Sequence, residues 1–436
     1  MSDSFARRRR RALEKVGRGA ILVPSAPESL RNGDVHYPYR PNSDLYYLTG
    51  LREPDSALLL RAAETGPESV LFVRPREREI ENWTGFRTGL DGARRIYGAG
   101  EAYPIGELSK RLPDLLEGID TLHFSFGVDP AIDKMMTDLV STFRGLQRSG
   151  GTGPTTLVDA AEILHEMRLR KDVVEIDTMS RAAQISAQAH CEALQRVGPG
   201  LFEYEIQAVI EYEFRRRGAD GCSYPSIVAS GPNACTLHYQ SNNRQMLPDD
   251  LLLIDAGAEY ELYAADITRT CPVSGRFTPD QAALYDIVLE AQTAAIQAAL
   301  PGSSLQSVHQ MACTMLVEGL LRIGILQGDL EEILRTGRYQ AYTLHPTSHW
   351  LGLDVHDAGR YVIGESRLLE PGMILTIEPG LYLFEDNLEI DPRFRGIGIR
   401  IEDDLLITME GNQILTKGVP KEREEIESLM AQHRGL

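Results

Sequence analysis

Apolar and polar positions follow two periods along the first part of the chain. Apolar runs at 20–23, 45–48, 57–60, 70–73 and 122–126 have the length of strands, whereas 105–116 and 131–146 have helical patterning. Phe5, Ala12, Leu13 and Val16, followed by Gly17, predict a short opening helix. Prolines and the Asn-Ser-Asp triplet make 37–44 a turn-rich loop. A Ser-Gly-Gly-Thr-Gly-Pro break at 149–154 is followed by a helical pattern at 160–169. Asp172 then stands as an acidic cap before a long helix at about 173–196, which ends at Gly198-Pro199-Gly200. A second helix, about 203–217, stops at Gly218, and further helices at about 279–299, 305–323 and 329–334 alternate with hairpin-like strands. The pattern predicts a mixed α/β domain over 1–171 and a second domain over 172–436. The second domain reads as α+β, with helices covering one face of an antiparallel sheet.

Composition narrows the function. The chain has 436 residues, 42% of them apolar, enough for a full core and against global disorder. A net charge of −18 disfavours nucleic acid and anionic membranes as partners. The basic run Arg7–Arg11 reads as the solvated face of the first helix. No apolar h-region follows it, and no uninterrupted apolar stretch has spanning length. The five cysteines, Cys191, Cys222, Cys235, Cys271 and Cys313, are widely spaced. They read as buried free thiols in a reducing compartment, so the expected location is cytoplasmic.

Several chemistries are missing from the sequence: it has no G-x-S-x-G elbow, no phosphate-binding G-x-x-x-x-G-K and no dinucleotide-binding G-x-G-x-x-G after a strand. His345 and His349 have H-x-x-x-H spacing, but Pro346-Thr-Ser348 supplies no glutamate for a zinc-protease helix. Two hairpins carry acids instead. Asp255 ends the apolar run Leu251–Ile254, and Asp266 lies on the return. A turn centred at Tyr260/Glu261 places the two directly opposite each other, with Cβ atoms about 5 Å apart. Two carboxylates that close need a cation or a shared proton; the alternative is an edge pair facing water. In the second hairpin Met373–Glu378 leads through Pro379-Gly380, and Gly396–Glu402 returns. Alternation places Gly398, Arg400 and Glu402 on one face, either beside a site or as a polar surface. His345, His349 and His356 fall within twelve residues, and His238 follows Gly231-Pro-Asn233. Four carboxylates with at least one imidazole suit two hard or borderline divalent ions and metal-assisted hydrolysis.

The ordered set Asp255, Asp266, His349, Glu378 and Glu402 resembles the pita-bread metallopeptidases. Ile254-Asp-Ala-Gly257, Asp266-Ile-Thr-Arg-Thr270, the run from Ser348 to Asp357, Glu370-Pro-Gly-Met373, Thr376-Ile-Glu-Pro-Gly380 and Gly398-Ile-Arg-Ile-Glu-Asp403 look like their catalytic blocks. The segment from Tyr37 to Gly50 looks like the amino-terminal domain of the aminopeptidase P branch. The resemblance implies a pita-bread catalytic domain after an aminopeptidase P/creatinase-like domain. It implies an Xaa-Pro aminopeptidase that releases the first residue from peptides with proline second, by attack of a hydroxide bridging two divalent ions. The ions would be Mn²⁺, with Co²⁺ or Zn²⁺ as alternatives. The alternatives in function are a prolidase restricted to dipeptides and a non-catalytic peptide-binding protein of the same fold.

Carried over by position, the resemblance makes Asp266 and Glu402 the ligands shared by both metals. Asp255 would bind one ion, and His349 with Glu378 the other. Glu378 would shuttle the proton. His238 and His356 would flank the scissile bond, His345 would be a further active-site histidine, and Arg400 would hold the carboxylates. Relatives usually have glycine where this chain has Pro346, which bears on pocket shape. Trp83 would correspond to an aromatic that reaches a neighbouring subunit's site, in a homodimer or homotetramer.

Overall fold

The computed structural model describes residues 2–62, 68–146, 148 and 150–433, so Ser149 of the predicted break lies outside the described residues. The chain divides into two compact units, Met1–Arg168 and Leu169–Leu436.

The first unit is built on a six-stranded mixed sheet. Its strands run in the order Glu101–Pro104, Ser69–Val73, Ala57–Arg61, Ala20–Pro24, Thr121–His123 and Thr156–Val158. The three middle strands pair antiparallel and the outer ones parallel. Leu22, Leu59 and Phe72 from the sheet pack with Leu112, Leu116, Met136 and Phe143 from the helices.

Two expectations are corrected in this unit. The run 45–48 is not a strand but lies inside the helix Ser43–Thr49. Asn42 caps it by accepting the Leu45 N–H at 3.0 Å, and Gly50, with φ 74°, closes it in the left-handed region. A four-residue apolar run buried on all sides carries no period, so the caps decide its form. The basic run is likewise not simply a solvated face. Arg7, Arg10 and Arg11 are exposed, but Arg8 and Arg9 are buried. Arg9 donates to the Leu48 carbonyl at 2.9 Å and Arg8 to that of Tyr47 at 3.3 Å. They satisfy last-turn carbonyls of the short helix, where the helix dipole favours positive charge.

The second unit is α+β, as the alternation of elements predicts. Asp172 accepts from the N–H groups of Val174 and Glu175 and starts the helix Val173–Arg196 with a reciprocal capping box. Helices Glu203–Arg216, Pro279–Ala298 and Leu305–Arg322 follow. The strands form two long antiparallel ribbons rather than one sheet. In the first, Leu251–Asp255 and Ala258–Tyr260 return as Tyr263–Ala264 and Thr268–Pro272. In the second, Ile374–Ile377 and Gly380–Leu383 return as Ile397–Arg400 and Asp403–Ile407. Each ribbon is interrupted midway on both strands yet keeps its register across the interruption.

The two faces of each ribbon are sharply different. Ile254, Ala256, Ile267 and Cys271 of the first, with Leu381, Leu383, Ile399 and Ile401 of the second, lie in one core cluster. That cluster also holds Ile185 and Ala189 of the long helix and Leu284, Ile287, Leu316 and Leu320 of later ones. The opposite faces carry the acids. No disulfide joins any of the five cysteines; Cys235, Cys271 and Cys313 are buried and the other two are half-buried. Among the described residues no helix is long and apolar enough to cross a membrane.

Candidate metal centre

The interruptions in the ribbons are where the acids meet. In the first ribbon Asp255 pairs in register with Thr268, not with Asp266. The turn is Glu261-Leu262, both at positive φ (50° and 64°), one position later than the expected centre. This moves the partner of Asp255 by two residues, and a two-residue shift preserves the face. Asp266 therefore stands diagonally across from Asp255 on the same side. It lies opposite Gly257, where a Cβ would overlap the Ala265 carbonyl oxygen, so only glycine lets the strands close there.

The second ribbon also departs from the expected pairing. Ile374–Ile377 pairs with Asp403–Ile407, and it is Gly380–Leu383 that pairs with Ile397–Arg400. The register carried through the gap sets Glu378 opposite Glu402. Thr376, Glu378, Gly380 and Tyr382 share a face with Asp404, Glu402, Arg400 and Gly398. The space beside Gly398 is filled by backbone: a Cβ there would collide with the Ala234 carbonyl in the 3-10 turn Gly231–Cys235 that leads to His238.

These faces bring every candidate to one cavity of about 870 Å³. Asp255, Asp266, Glu378, Glu402, Arg400, His238, His345, His349 and His356 all line it, as does Pro346. One ligand atom each from Asp266, His349 and Glu402 falls within 4.8 Å of the others. His349 Nε2 is 3.5 Å from Asp266 Oδ2 and 3.4 Å from Glu378 Oε1. Its Nδ1 lies 3.0 Å from the Trp350 carbonyl, which assigns a proton to Nδ1 and leaves Nε2 facing the acids.

The electrostatics are those of a site short of positive charge. Desolvation raises Glu378 to about 7, with Asp266 and Asp255 adding to it against His349 and Arg400. Desolvation also raises Asp255, partly offset by Arg400, and holds Glu402 well above the usual carboxylate range. For His349 desolvation acts downward, but the Asp266 hydrogen bond and the nearby carboxylates win and lift it to about 9. Buried, convergent carboxylates that take up protons are a donor set fit for divalent cations.

Arg400 donates to Asp255 Oδ2 at 2.5 Å, to Thr268 Oγ1 at 3.1 Å and to the Tyr382 hydroxyl at 2.9 Å. A guanidinium can only donate, so the Tyr382 oxygen accepts from it and donates its O–H to His345 Nε2, 2.7 Å away. His345 is then neutral with its proton on Nδ1, aimed at the Pro346 carbonyl at 2.9 Å. Desolvation and the Arg400 charge lower it to about 4, in agreement. His356 meets His349 edge to face, with ring centroids 4.4 Å apart.

Sequence reasoning missed four side chains. The Tyr224 hydroxyl lies 2.6 Å from Asp255 Oδ1 and 2.5 Å from Asp266 Oδ1. Thr268 donates to Glu402 Oε2 at 2.7 Å, joining the two ribbons. Asp404 receives the Asp266 backbone N–H at 3.2 Å. Tyr382 links His345 to Arg400. Strand alternation from Glu378 and Glu402 would have found Tyr382 and Asp404, and the corrected register would have found Thr268. Tyr224 comes from outside both ribbons and leaves no such signal. Trp83, in the first unit, is 91% exposed.

Comparison with known proteins agrees with this geometry. Residues 177–409 match the family model for metallopeptidase family M24, and residues 5–123 match that for the aminopeptidase P amino-terminal domain. The chain is 44% identical to the Xaa-Pro aminopeptidase of Escherichia coli, covering 99% of this chain and 98% of that protein. It is 34% identical to human Xaa-Pro aminopeptidase 3, covering 94% and 81% respectively. Among solved structures it is similar to Pseudomonas aeruginosa aminopeptidase PepP, with TM-score 0.98, 44% identity and coverage of 100% of this chain and 99% of that one. It is equally similar in fold to zinc-substituted E. coli aminopeptidase P in complex with product, with TM-score 0.97, 43% identity and the same coverage.

Proposed function

The chain belongs to metallopeptidase family M24 and carries the aminopeptidase P amino-terminal domain, and from this we infer that it is an Xaa-Pro aminopeptidase. It hydrolyses the bond between an amino-terminal residue and a following proline. Its full-length relatives are named Xaa-Pro aminopeptidases, and the dipeptide-restricted prolidase reading is not favoured. The observation that carries the reading is the convergence of Asp266, His349 and Glu402 on one point within a cavity also lined by Asp255 and Glu378.

We propose that Asp255, Asp266, His349, Glu378 and Glu402 would hold two divalent ions. Oxygen-rich donors with one imidazole favour Mn²⁺ over a softer ion. Bound there, such ions supply a water nucleophile ionised near neutral pH. The remaining steps belong to the side chains. Glu378, on the cavity wall beside His349, is the group to accept a proton from the attacking water and deliver it to the proline nitrogen as the bond breaks. His238 and His356, on the cavity wall, are placed to donate hydrogen bonds to the substrate carbonyls as negative charge develops. Neutral His345 accepts from Tyr382 and keeps that hydroxyl under the Arg400 guanidinium, so Arg400 stays on Asp255. The substrate suits such a site: the Xaa-Pro bond is a tertiary amide without N–H, so an enzyme that reads extended backbone loses a hydrogen bond there.

The test is release of the first residue from Xaa-Pro-Xaa tripeptides by manganese-loaded protein, followed by mass spectrometry, with Xaa-Pro dipeptides alongside. Turnover of the tripeptides is expected. Turnover of dipeptides alone would return the prolidase, and no turnover of either would remove the reading. Elemental analysis tests two ions per chain and their identity. Light scattering tests the homodimer or homotetramer that the resemblance implies, and fractionation of cells tests the cytoplasmic location that five cysteines without a disulfide favour.

A further inference from the structure

We propose that the buried ion pair between Lys171 and Asp357 is a positioning device for His356, setting turnover without setting metal content. The proposal rests on the aminopeptidase reading and adds to it two residues that line no part of the catalytic cavity.

The two histidines at the ends of the 349–356 loop are held in different ways. His349 is fastened to the second ribbon. Its N–H donates to Thr376 Oγ1 at 3.1 Å, its carbonyl accepts from the Thr376 N–H at 2.9 Å, and the Leu351 N–H reaches the Ile374 carbonyl at 3.1 Å. His356 has left the ribbon and is exposed. Its ring rests edge to face on His349, and among the described residues no hydrogen bond is found on its imidazole. The direction of that ring therefore depends on the backbone that carries it.

That backbone is closed by the next residue. The Asp357 N–H donates to the Trp350 carbonyl at 2.9 Å, bringing the loop back to its start. Asp357 Oδ1 accepts the Asp354 N–H at 3.3 Å, and Oδ2 receives Lys171 Nζ at 2.9 Å. Both side chains of the pair are 1% exposed. The loop is thus wrapped around one carboxylate, and the carboxylate is pinned from outside the loop. Lys171 is itself fixed. Its N–H donates to the Gly372 carbonyl at 2.8 Å, and its neighbour Asp172 caps the long helix. The sequence also leaves room for the pair. A Cβ on Gly352 would overlap Asp357 Oδ2 and stand 3.0 Å from Lys171 Cε.

A pair this deeply buried is a poor device for stability, because desolvation consumes most of the attraction. It is a good device for orientation, because a buried charge tolerates only one partner position.

The experiment compares metal-loaded wild-type protein with Asp357→Asn, Lys171→Met, His356→Ala and the combinations of each pair variant with His356→Ala. Asp357→Asn keeps the side-chain shape, so it carries the test alone if Lys171→Met does not fold. On an Xaa-Pro-Xaa tripeptide, each pair variant should lower kcat roughly 10- to 100-fold, the range for groups that orient a reacting shell. KM should move less than about threefold, since the lost contact acts on the transition state. Metal content by elemental analysis should stay that of wild type. In the His356→Ala background the same substitutions should cost less than about twofold more, because both act through one ring. An unchanged kcat in folded Asp357→Asn, a full multiplicative loss without His356, or metal lost in step with activity would each overturn the proposal. Wild-type turnover is the control: its absence removes the aminopeptidase reading and the proposal with it, whereas wild-type turnover beside unaffected variants removes the positioning role alone.

Discussion

His190 shows how a single buried side chain can support the site without entering it. It is 0% exposed in the long helix, and its Nε2 lies 2.8 Å from the carbonyl of Ala256, the residue after Asp255. Its Nδ1 is buried without a partner. The ring must therefore be neutral, with its proton on Nε2 donated to Ala256. Burial lowers its pKa to about 4, against about 6.5 for a free histidine. The sign follows directly. Between about 6.5 and about 4 the unfolded chain binds a proton that the folded chain refuses, so stability falls as pH falls through that window. The full shift is worth up to about 3 kcal/mol. In metal-loaded protein, His190→Gln keeps a donor for Ala256 but cannot titrate. Its melting temperature should fall less between pH 7.5 and pH 5 than that of wild type, as calorimetry can measure. Parallel losses in the two proteins would mean that His190 is not the group responsible. No pattern in the sequence marks this histidine, which sits mid-helix among Ala, Gln and Cys. By contrast His345, His349 and His356 were legible because they cluster, and Arg400 because strand alternation sets it beside Glu402.

At the scale of elements, the ribbons were legible as hairpins of apolar strands carrying acids, but their registers were not. Turn position decides register, and the Glu261-Leu262 turn contains no glycine, asparagine or aspartate to announce positive φ. In the second ribbon the loop between the strands runs from Leu383 to Ile397, too long to fix a register from its ends. The face of each acid survived both errors, because the corrected pairing preserves parity. The short helix Ser43–Thr49 was lost for a related reason: its signals are its caps, not its apolar run. Gly257 is where the element-scale argument can be tested. A methyl group there meets the Ala265 carbonyl, which belongs to the paired backbone and cannot rotate away. Gly257→Ala should cost about 1–3 kcal/mol by overpacking. It should also spread the strands that carry Asp255 and Asp266, so bound metal should fall with the melting temperature. Gly411→Ala, whose new methyl would meet nothing nearer than Leu300 Cδ2 at 3.9 Å, is the control and should change neither. Full metal content in Gly257→Ala at the wild-type melting temperature would contradict the steric account.

Across the whole catalytic unit, buried polar groups tie the two ribbons together. On the core face Arg269 donates to the carbonyls of Thr268 and Glu402 and to Asp403 Oδ1, while Gln292 and Lys421 hold Asp403 Oδ2. On the opposite face Thr268 reaches Glu402 and Arg400 reaches Asp255. Closing the fold thus presses four carboxylates together with one guanidinium among them. Without metal ions the folded unit relieves this by holding protons: Glu378 is raised to about 7 and His349 to about 9. Both values lie above those of the unfolded chain. The stability they contribute is complete below the unfolded values and is lost as pH rises through about 7 and then about 9. Ions held by the proposed ligands would replace these protons, and binding the folded chain alone they would stabilise it by mass action and remove this pH dependence. Chelator-treated protein should therefore melt lower than metal-loaded protein, and the gap should widen from pH 6 to pH 9. Titration calorimetry at pH 7 in buffers of different ionisation enthalpy should show protons released as Mn²⁺ binds. A constant gap with no proton release would mean that the cations bind elsewhere than at these carboxylates, and the proposed ligand assignment would fall with that result.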